Sequence, residues 1–135
     1  MTRFVVDASA ALRLAETGTQ VPAVHQLLAP TLLRSQALSA MHEAVQRSEL
    51  PAAVARDRLA RVGKLRIRLL GDAVLRDVAW KVADRLGWES TYRAEYVALT
   101  QLQADFLVTL DDELARAVQG VVPTAPFQAL LDPSA

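Results

Sequence analysis

Short apolar runs along the chain alternate with longer amphipathic stretches. Two of the runs, Phe4-Val5-Val6 and Phe106-Leu107-Val108-Thr109, are continuous and reach an aspartate within two residues, so each predicts a buried strand. Residues 65–69 alternate between apolar side chains and arginine, which is the period of a strand with one face in water. Val121-Val122, just before Pro123, is a candidate for a last short strand.

Helical periodicity separates these strands. Helices are predicted over residues 8–16, 22–28, 32–48, 51–63, 72–86, 90–103 and 112–118. Gly18 follows the first helix, and Pro22 suits the opening turn of the second because its missing N–H is not needed there. The side chains expected to face the core are Leu38, Met41 and Val45, then Val54, Leu59 and Val62, then Val74, Leu75, Val78, Ala79, Val82 and Leu86, and finally Tyr96, Val97, Leu99 and Leu102.

Helices that separate short apolar strands are typical of the α/β class with a parallel sheet. A chain of 135 residues is the size of one domain, and no repeat, low-complexity segment or linker divides it. The pattern therefore predicts a single α/β domain over residues 1–135. We expect a short parallel sheet of four to five strands, flanked by about seven helices on both faces.

Composition narrows the classes of function. The absence of cysteine excludes a disulfide framework, cysteine-ligated zinc, iron–sulfur clusters and thiol catalysis. No apolar run approaches the ~20 residues that cross a bilayer, and the first residues lack the pattern of a secretory signal. We therefore expect a cytoplasmic protein with no membrane partner.

The charges are balanced in total and uneven in position. Fifteen basic side chains oppose fifteen acidic ones, but residues 56–76 carry seven bases and two acids, whereas residues 89–113 carry six acids and one base. A basic surface beside an acidic crevice suits a phosphodiester substrate. The two segments could equally pair across a dimer, and a solvated helix face accounts for part of the basic one.

Two aspartates, Asp7 and Asp111, follow predicted strands. The carboxyl ends of parallel strands meet at one edge of a sheet, where active sites of this class collect. Carboxylates that converge there repel each other, and a divalent cation relieves the repulsion. The alternative is that each aspartate caps the N-terminus of the helix that follows it. The spacing by itself leaves both interpretations open.

Four segments in order resemble PIN-domain proteins, particularly the VapC-type toxins of bacterial toxin–antitoxin pairs. Residues 5–12 (VVDASAAL) resemble the opening of that family, residues 29–38 (APTLLRSQAL) its helix with the second acid, residues 91–99 (TYRAEYVAL) its helix with the third acid, and residues 107–111 (LVTLD) its last catalytic strand. The resemblance runs from about Arg3 to Leu131 and implies a single PIN-like domain.

The resemblance implies a metal-dependent endoribonuclease that hydrolyses RNA phosphodiester bonds. Its acids would hold one or two Mg²⁺ or Mn²⁺ ions, and its partners would be an RNA substrate, a cognate antitoxin and a second copy of the chain. Asp7 and Asp111 carry over as catalytic residues and metal ligands. Asp112 adjoins Asp111 and is a further candidate ligand, or a helix cap. Ser9, within the first motif, would hold a metal-bound water or cap its helix.

Two positions depart from the family pattern. Gln36 stands where the pattern has an acid, and Arg93 stands where it has an aspartate. The Gln36 amide oxygen can still bind a metal or a water, whereas an arginine offers no ligand atom. Glu95 lies two residues from Arg93, about 200° away on a regular helix, but a shifted first turn would bring it to the crevice as a catalytic acid and metal ligand. If a branch of the family carries both Gln36 and Glu95, Arg93 is the one true departure.

Arg93 has three interpretations. It pairs with Asp7 or Asp111 as a built-in cation, it contacts the scissile phosphate, or it points into solvent. These lead to two hypotheses of function. In the first, the protein is an active ribonuclease that uses Asp7, Glu95 and Asp111. In the second, it is a catalytically impaired PIN-fold protein that binds RNA or an antitoxin-like partner without cleavage.

Overall fold

Four short strands form one parallel sheet. The computed structural model describes residues 1–135, and its strands are β1 (Arg3–Val6), β2 (Gln26–Pro30), β3 (Ile67–Leu70) and β4 (Phe106–Val108). Their spatial order is β3-β2-β1-β4, and every neighbouring pair is parallel. The parallel arrangement places all four carboxyl ends at one edge of the sheet.

Six α-helices and one 3₁₀ helix surround the sheet. They are α1 (Ala8–Thr17), α2 (Leu32–Gln46), α3 (Ala52–Lys64), α4 (Ala73–Leu86), α5 (Tyr92–Gln103), α6 (Asp112–Ala117) and the 3₁₀ helix Phe127–Leu131. Gly18 ends α1 with φ 67°, a left-handed conformation that glycine adopts without strain. The predicted α/β class, the parallel sheet and the approximate helix number are confirmed. None of the helices is long and apolar enough to cross a membrane.

The central strand β1 is buried on both faces. Val5 belongs to a cluster with α4 and α5 side chains such as Leu75 and Val97. Phe4 belongs to a second cluster on the other face, which includes Leu14 of α1 and Leu130 of the 3₁₀ helix. Helices therefore cover both faces of the sheet, and this is why the predicted strands read as continuous apolar runs.

The helix predicted over residues 22–28 is wrong. Residues 23–24 form a turn, and the chain then enters β2, whose Leu27, Leu28 and Ala29 are almost fully buried between β1 and β3. Periodicity cannot distinguish a short buried strand from a buried helix segment. Pro22 opens the turn instead, where its carbonyl accepts the N–H of His25 at 3.0 Å.

The last predicted strand is displaced along the chain. Val121 and Val122 lie in a turn, whereas Thr124 forms an isolated parallel bridge with Leu107 of β4. The Leu107 N–H donates to the carbonyl of Pro123 at 2.9 Å. Gly120, with φ 77°, belongs to the turn that carries the chain back to β4.

Several side chains expected to face the core are exposed instead. Leu38 and Val74 are each 59% exposed, and Val54 and Leu102 are exposed by about two fifths. The inward positions of α2, α3 and α4 belong largely to alanines, including Ala37, Ala55 and Ala79. Small side chains allow the helices to pack closely against their neighbours. The face that each helix buries is therefore rotated away from the stripe of bulky apolar side chains that was expected to face the core. Gly63 lies inside α3, which continues to Lys64.

Candidate functional site

Two aspartates meet at the carboxyl edge of the sheet. Asp7 directly follows β1, and Asp111 follows β4 after two further residues; β1 and β4 are neighbours in the sheet. Asp7 is buried, with 7% of its surface exposed, whereas the Asp111 side chain is 38% exposed. The expected convergence of strand ends therefore brings the two predicted acids to one edge.

Three donors surround the buried carboxylate of Asp7. Its Oδ1 accepts from the Ser9 hydroxyl at 2.6 Å and from the Ala10 N–H at 3.0 Å, and its Oδ2 accepts from the Thr109 hydroxyl. The Ala10 bond makes Asp7 the N-cap of α1, so the capping interpretation is correct for this residue. Oδ1 accepts two of these bonds and Oδ2 accepts one, so Oδ2 retains acceptor capacity. Capping and a second role are therefore compatible.

Ser9 and Thr109 join the two strand ends. The Ser9 hydroxyl, which donates to Asp7, accepts from the Leu110 N–H at 2.9 Å. The Thr109 hydroxyl, which also donates to Asp7, accepts from the Asp111 N–H at 3.0 Å. Asp7, and not Ser9, caps α1. The sequence motifs do not single out Thr109, although its position between β4 and Asp111 in the LVTLD segment indicates a place at this edge.

Arg93 of α5 holds the second aspartate. Its Nη2 donates to Asp111 Oδ2 at 3.0 Å, and its Nη1 lies 3.5 Å from Oε1 of Glu113. Of the three interpretations of Arg93, the structure shows pairing with Asp111. The other oxygen, Asp111 Oδ1, accepts from the N–H groups of Glu113 and Leu114 and caps α6. Glu113 was not singled out from the sequence.

Gln36 is tied to a buried tyrosine. The Tyr96 hydroxyl donates to Oε1 of Gln36 at 2.5 Å, and Tyr96 is 2% exposed. Burial raises the pKa of Tyr96, and the negative charges of Asp7 and Glu95 raise it further. The tyrosine therefore stays protonated and available as a donor. Gln36 is the hydrogen-bond partner of this hydroxyl, and Asp7 and Glu95 act on it only through their charge.

The remaining predicted acids occupy different environments. Glu95 lies in the first turn of α5, is half-buried and makes no hydrogen bond or ion pair with its side chain. Burial raises the pKa of Glu95, since desolvation disfavours the carboxylate. Asp112 is exposed at the first position of α6, and its side chain forms no hydrogen bond or ion pair.

The acids do not form a closed metal cage. No group of three or more histidine, aspartate or glutamate side chains lies close enough to hold a metal ion. Every candidate donor at the site is nevertheless a hard oxygen, the ligand type that Mg²⁺ prefers. Mg²⁺ is commonly bound through one or two carboxylates, with waters and substrate phosphates as the other ligands. Asp7 and Asp111 fit that open kind of site.

The basic segment over residues 56–76 is spread across several elements. It includes α3, β3 and the start of α4. Because α3 ends where β3 begins, Lys64 and Arg66 lie at the amino edge of the sheet, opposite Asp7 and Asp111. The expectation of one basic surface beside the acidic crevice is therefore wrong for this part of the segment.

Comparison with known proteins supports the fold. No family model and no curated protein matches the chain. The structure of PAE2754 from Pyrobaculum aerophilum is similar, with a TM-score of 0.75 and 25% identity over 96% of this chain and 93% of that one. The structure of VapBC-1 from nontypeable Haemophilus influenzae is also similar, with a TM-score of 0.60 and 10% identity over 93% of this chain and 98% of that one. The fold is PIN-like.

Proposed function

We propose that this chain is a metal-dependent endoribonuclease of the VapC-like toxin type. It would hydrolyse RNA phosphodiester bonds with Asp7, Glu95 and Asp111 as its catalytic acids. The observation that carries the proposal is the pair Asp7 and Asp111, joined through Thr109 at neighbouring strand ends of a PIN-like fold. The likeness to VapBC-1 supports the choice of this family over other α/β folds.

Asp7 and Asp111 would hold Mg²⁺ or Mn²⁺, with Glu95 as a third acid and Asp112 as an outer one. Bound metal would supply an activated water and stabilise the charge that develops on the phosphate. The chain's own contribution is positioning. Ser9 and Thr109 hold the Asp7 carboxylate by both oxygens, so its orientation is fixed before substrate arrives. The Tyr96 hydroxyl holds Gln36 in the same way.

Arg93 makes this site weaker than a site of acids alone. Its positive charge offsets one carboxylate, and it occupies an oxygen of Asp111 that a metal would use. Exposed ion pairs of this kind contribute only about 0–1 kcal/mol, so a divalent cation can displace the guanidinium at small cost. We therefore expect an active enzyme with reduced metal affinity.

A second candidate is a catalytically impaired PIN-fold protein that binds RNA or an antitoxin-like partner. The Arg93–Asp111 hydrogen bond favours it, because a resident cation already neutralises the acid where metal would bind. The Tyr96–Gln36 bond favours it too, because an amide stands at the position of the family's second acid.

RNA cleavage by three proteins separates the two candidates. The unmodified chain, Asp7→Ala and Arg93→Asp are incubated with structured RNA and Mg²⁺ or Mn²⁺. Cleavage by the unmodified chain that is abolished in Asp7→Ala supports the nuclease. Cleavage that arises only in Arg93→Asp supports the impaired protein. If no variant cleaves and calorimetry detects no metal binding, both nuclease forms are excluded.

We propose further that the chain forms a homodimer and is bound by a cognate antitoxin. The support is the likeness to VapBC-1 together with the expectation from the sequence motifs. Light scattering of the purified chain measures the mass of the particle. A monomeric mass at micromolar concentration would contradict the dimer without affecting the proposed cleavage.

A further inference from the structure

A cleft opens at the amino edge of the sheet, remote from Asp7 and Asp111. Its walls are the end of α1, the loop over residues 18–25, the end of α3 and the residues that lead into β3. Its volume is about 830 Å³, within the range of small-molecule sites. The opposite edge carries the acids, so the cleft is a separate feature of the molecule.

The charge of the cleft is positive. Arg61, Lys64 and Arg66 line it, and none of its fourteen lining residues is acidic. Arg61 pairs through Nε with Asp57 at 2.9 Å, whereas Lys64 and Arg66 have no acidic partner in the chain. The unpaired charges of Lys64 and Arg66 on one concave wall create a positive potential, which an anion in the cleft would relieve.

The loop that lines the same wall contains backbone N–H groups without a partner. The N–H groups of Gln20, Val21 and Ala23 have no acceptor in the chain, and all three residues line the cleft. The left-handed conformation of Gly18 turns the chain out of α1 and into this loop. Free backbone N–H groups together with arginine and lysine are the donors that bind phosphate oxygens.

A buried histidine in the wall has one ring nitrogen without a hydrogen-bond partner. His25 is 9% exposed, and its Nε2 donates to the carbonyl of Asp132 at 2.6 Å. Its Nδ1 is buried without a partner, and it is the only such side-chain atom in the chain. Because Nε2 donates, Nδ1 of the neutral ring is an acceptor, so a bound water would satisfy it and an unprotonated phosphate oxygen would not.

We propose that this cleft binds a phosphate group, supplied either by an RNA strand or by a free nucleotide. Arginine forks match the oxygens of a phosphate, lysine adds a point charge, and the loop N–H groups complete the donor set. The volume accommodates a whole nucleotide. The proposal does not depend on cleavage at the carboxyl edge.

Removal of charge from the cleft tests the proposal, with a control that removes the same charge elsewhere. The double variant Lys64→Gln/Arg66→Gln is compared with Arg68→Gln/Lys81→Gln. Arg68 lies on the same side of β3 two residues further on, and neither Arg68 nor Lys81 lines the cleft. The probes are inorganic phosphate, adenosine monophosphate and a fluorescent single-stranded RNA of ten nucleotides. Thermal unfolding verifies that both variants are folded.

The expected result is saturable binding of at least one probe that weakens about tenfold in Lys64→Gln/Arg66→Gln and stays unchanged in the control. The amide resonances of Gln20, Val21 and Ala23 should shift when that probe is titrated. Binding of the mononucleotide identifies a free nucleotide as the ligand, and binding of RNA alone identifies a strand. Equal losses in both double variants, or no saturable binding of any probe, would overturn the proposal.

Discussion

The guanidinium of Arg93 lies 3.0 Å from the carboxylate of Asp111, at the position where a metal-binding site would need an open oxygen. Both side chains are about two fifths exposed, so solvent weakens the attraction between them. Glu113, 74% exposed, adds a second and looser contact at 3.5 Å. Arg93 is therefore held by contacts that a stronger cation can replace.

Substitution Arg93→Asp should increase metal affinity. The change removes the resident cation, frees an oxygen of Asp111 and adds a carboxylate at the family position. We expect Mn²⁺ to bind about tenfold more tightly in a calorimetric titration. Arg76→Asp is the matched control, because Arg76 is exposed on α4 and forms no ion pair. Equal Mn²⁺ affinities in the unmodified chain and in Arg93→Asp would show that Arg93 does not weaken metal binding.

Substitution Gln36→Glu should also increase metal affinity. A carboxylate of nearly the same shape keeps the Tyr96 hydroxyl as its donor and adds one negative charge at this position. We expect a gain in Mn²⁺ affinity of up to about tenfold. Gln101→Glu, on the exposed face of α5, serves as the control. A gain in Gln101→Glu as large as that in Gln36→Glu would contradict a specific role for position 36.

Substitution Asp7→Asn should separate chemistry from stability. Asparagine is also a good N-cap, but its NH2 group cannot accept from the Thr109 hydroxyl, so we expect the free energy of unfolding to fall by about 1 kcal/mol. Loss of the charge should lower RNA cleavage by about 100-fold or more. Asp7→Ala also removes the acceptor for three donors and should cost about 2 kcal/mol. Urea titrations and cleavage rates measure the two quantities; full cleavage by a folded Asp7→Asn would exclude Asp7 as a catalytic acid.

Substitution Thr109→Val should lower the free energy of unfolding by about 1–3 kcal/mol. Valine has nearly the same shape but cannot donate to Asp7 or accept from the Asp111 N–H. Thr109→Ser keeps the hydroxyl and should cost less than about 1 kcal/mol. Urea denaturation of the three proteins tests the role of this hydroxyl. Equal losses in the valine and serine variants would assign the effect to the methyl group instead.

Substitution Glu95→Gln should change how stability depends on pH. Burial raises the pKa of Glu95 above its ordinary value of 4.5, so the unfolded state loses this proton at lower pH than the folded state. The contribution of Glu95 is therefore fully present below pH 4.5 and is lost as pH rises through its folded pKa. We expect Glu95→Gln to be more stable than the unmodified chain at pH 7, with a smaller difference at pH 4.

Chemical denaturation at pH 4, 5, 6 and 7 measures that difference. Glu89→Gln is the control, because Glu89 is exposed just before α5. A difference between Glu95→Gln and the unmodified chain that is constant over this range would show that burial does not disfavour the Glu95 carboxylate. Metal-free buffers keep the measurement independent of any bound cation.

Much of the fold and of the acid pair could be predicted from the sequence, because both depend on local patterns. The continuous apolar run Phe4-Val5-Val6 is typical of a buried strand in a parallel sheet. Asp7, which follows it, therefore lies at the carboxyl end of that strand. β2 could not be identified in this way, since its short apolar run is equally compatible with a helix. Its assignment depends on β1 and β3 on either side, which is tertiary information.

The partner of Arg93 was not predictable for a similar reason. Arg93 is a long and flexible side chain at the start of α5. From the sequence alone, contact with Asp7, contact with Asp111 and exposure to solvent are equally compatible with its position. The choice depends on where α6 begins, because the Asp111 Oδ1 is occupied by its own helix and only Oδ2 remains for Arg93. The Thr109 and Ser9 bonds were missed because they join residues about a hundred positions apart.

The pairing of β1 with β4 also determines when the site can exist. Thr109, which completes the surroundings of Asp7, is synthesised 102 residues after it, and Asp111 follows two residues later. A fragment that ends before β4 carries Asp7 without Asp111, and its strand β1 has no β4 to pair with. Contacts of such sequence separation form late, after the loop entropy between them has been overcome. A nascent chain is therefore harmless to the RNA around it until the whole domain has been translated and folded, if the proposed cleavage is correct.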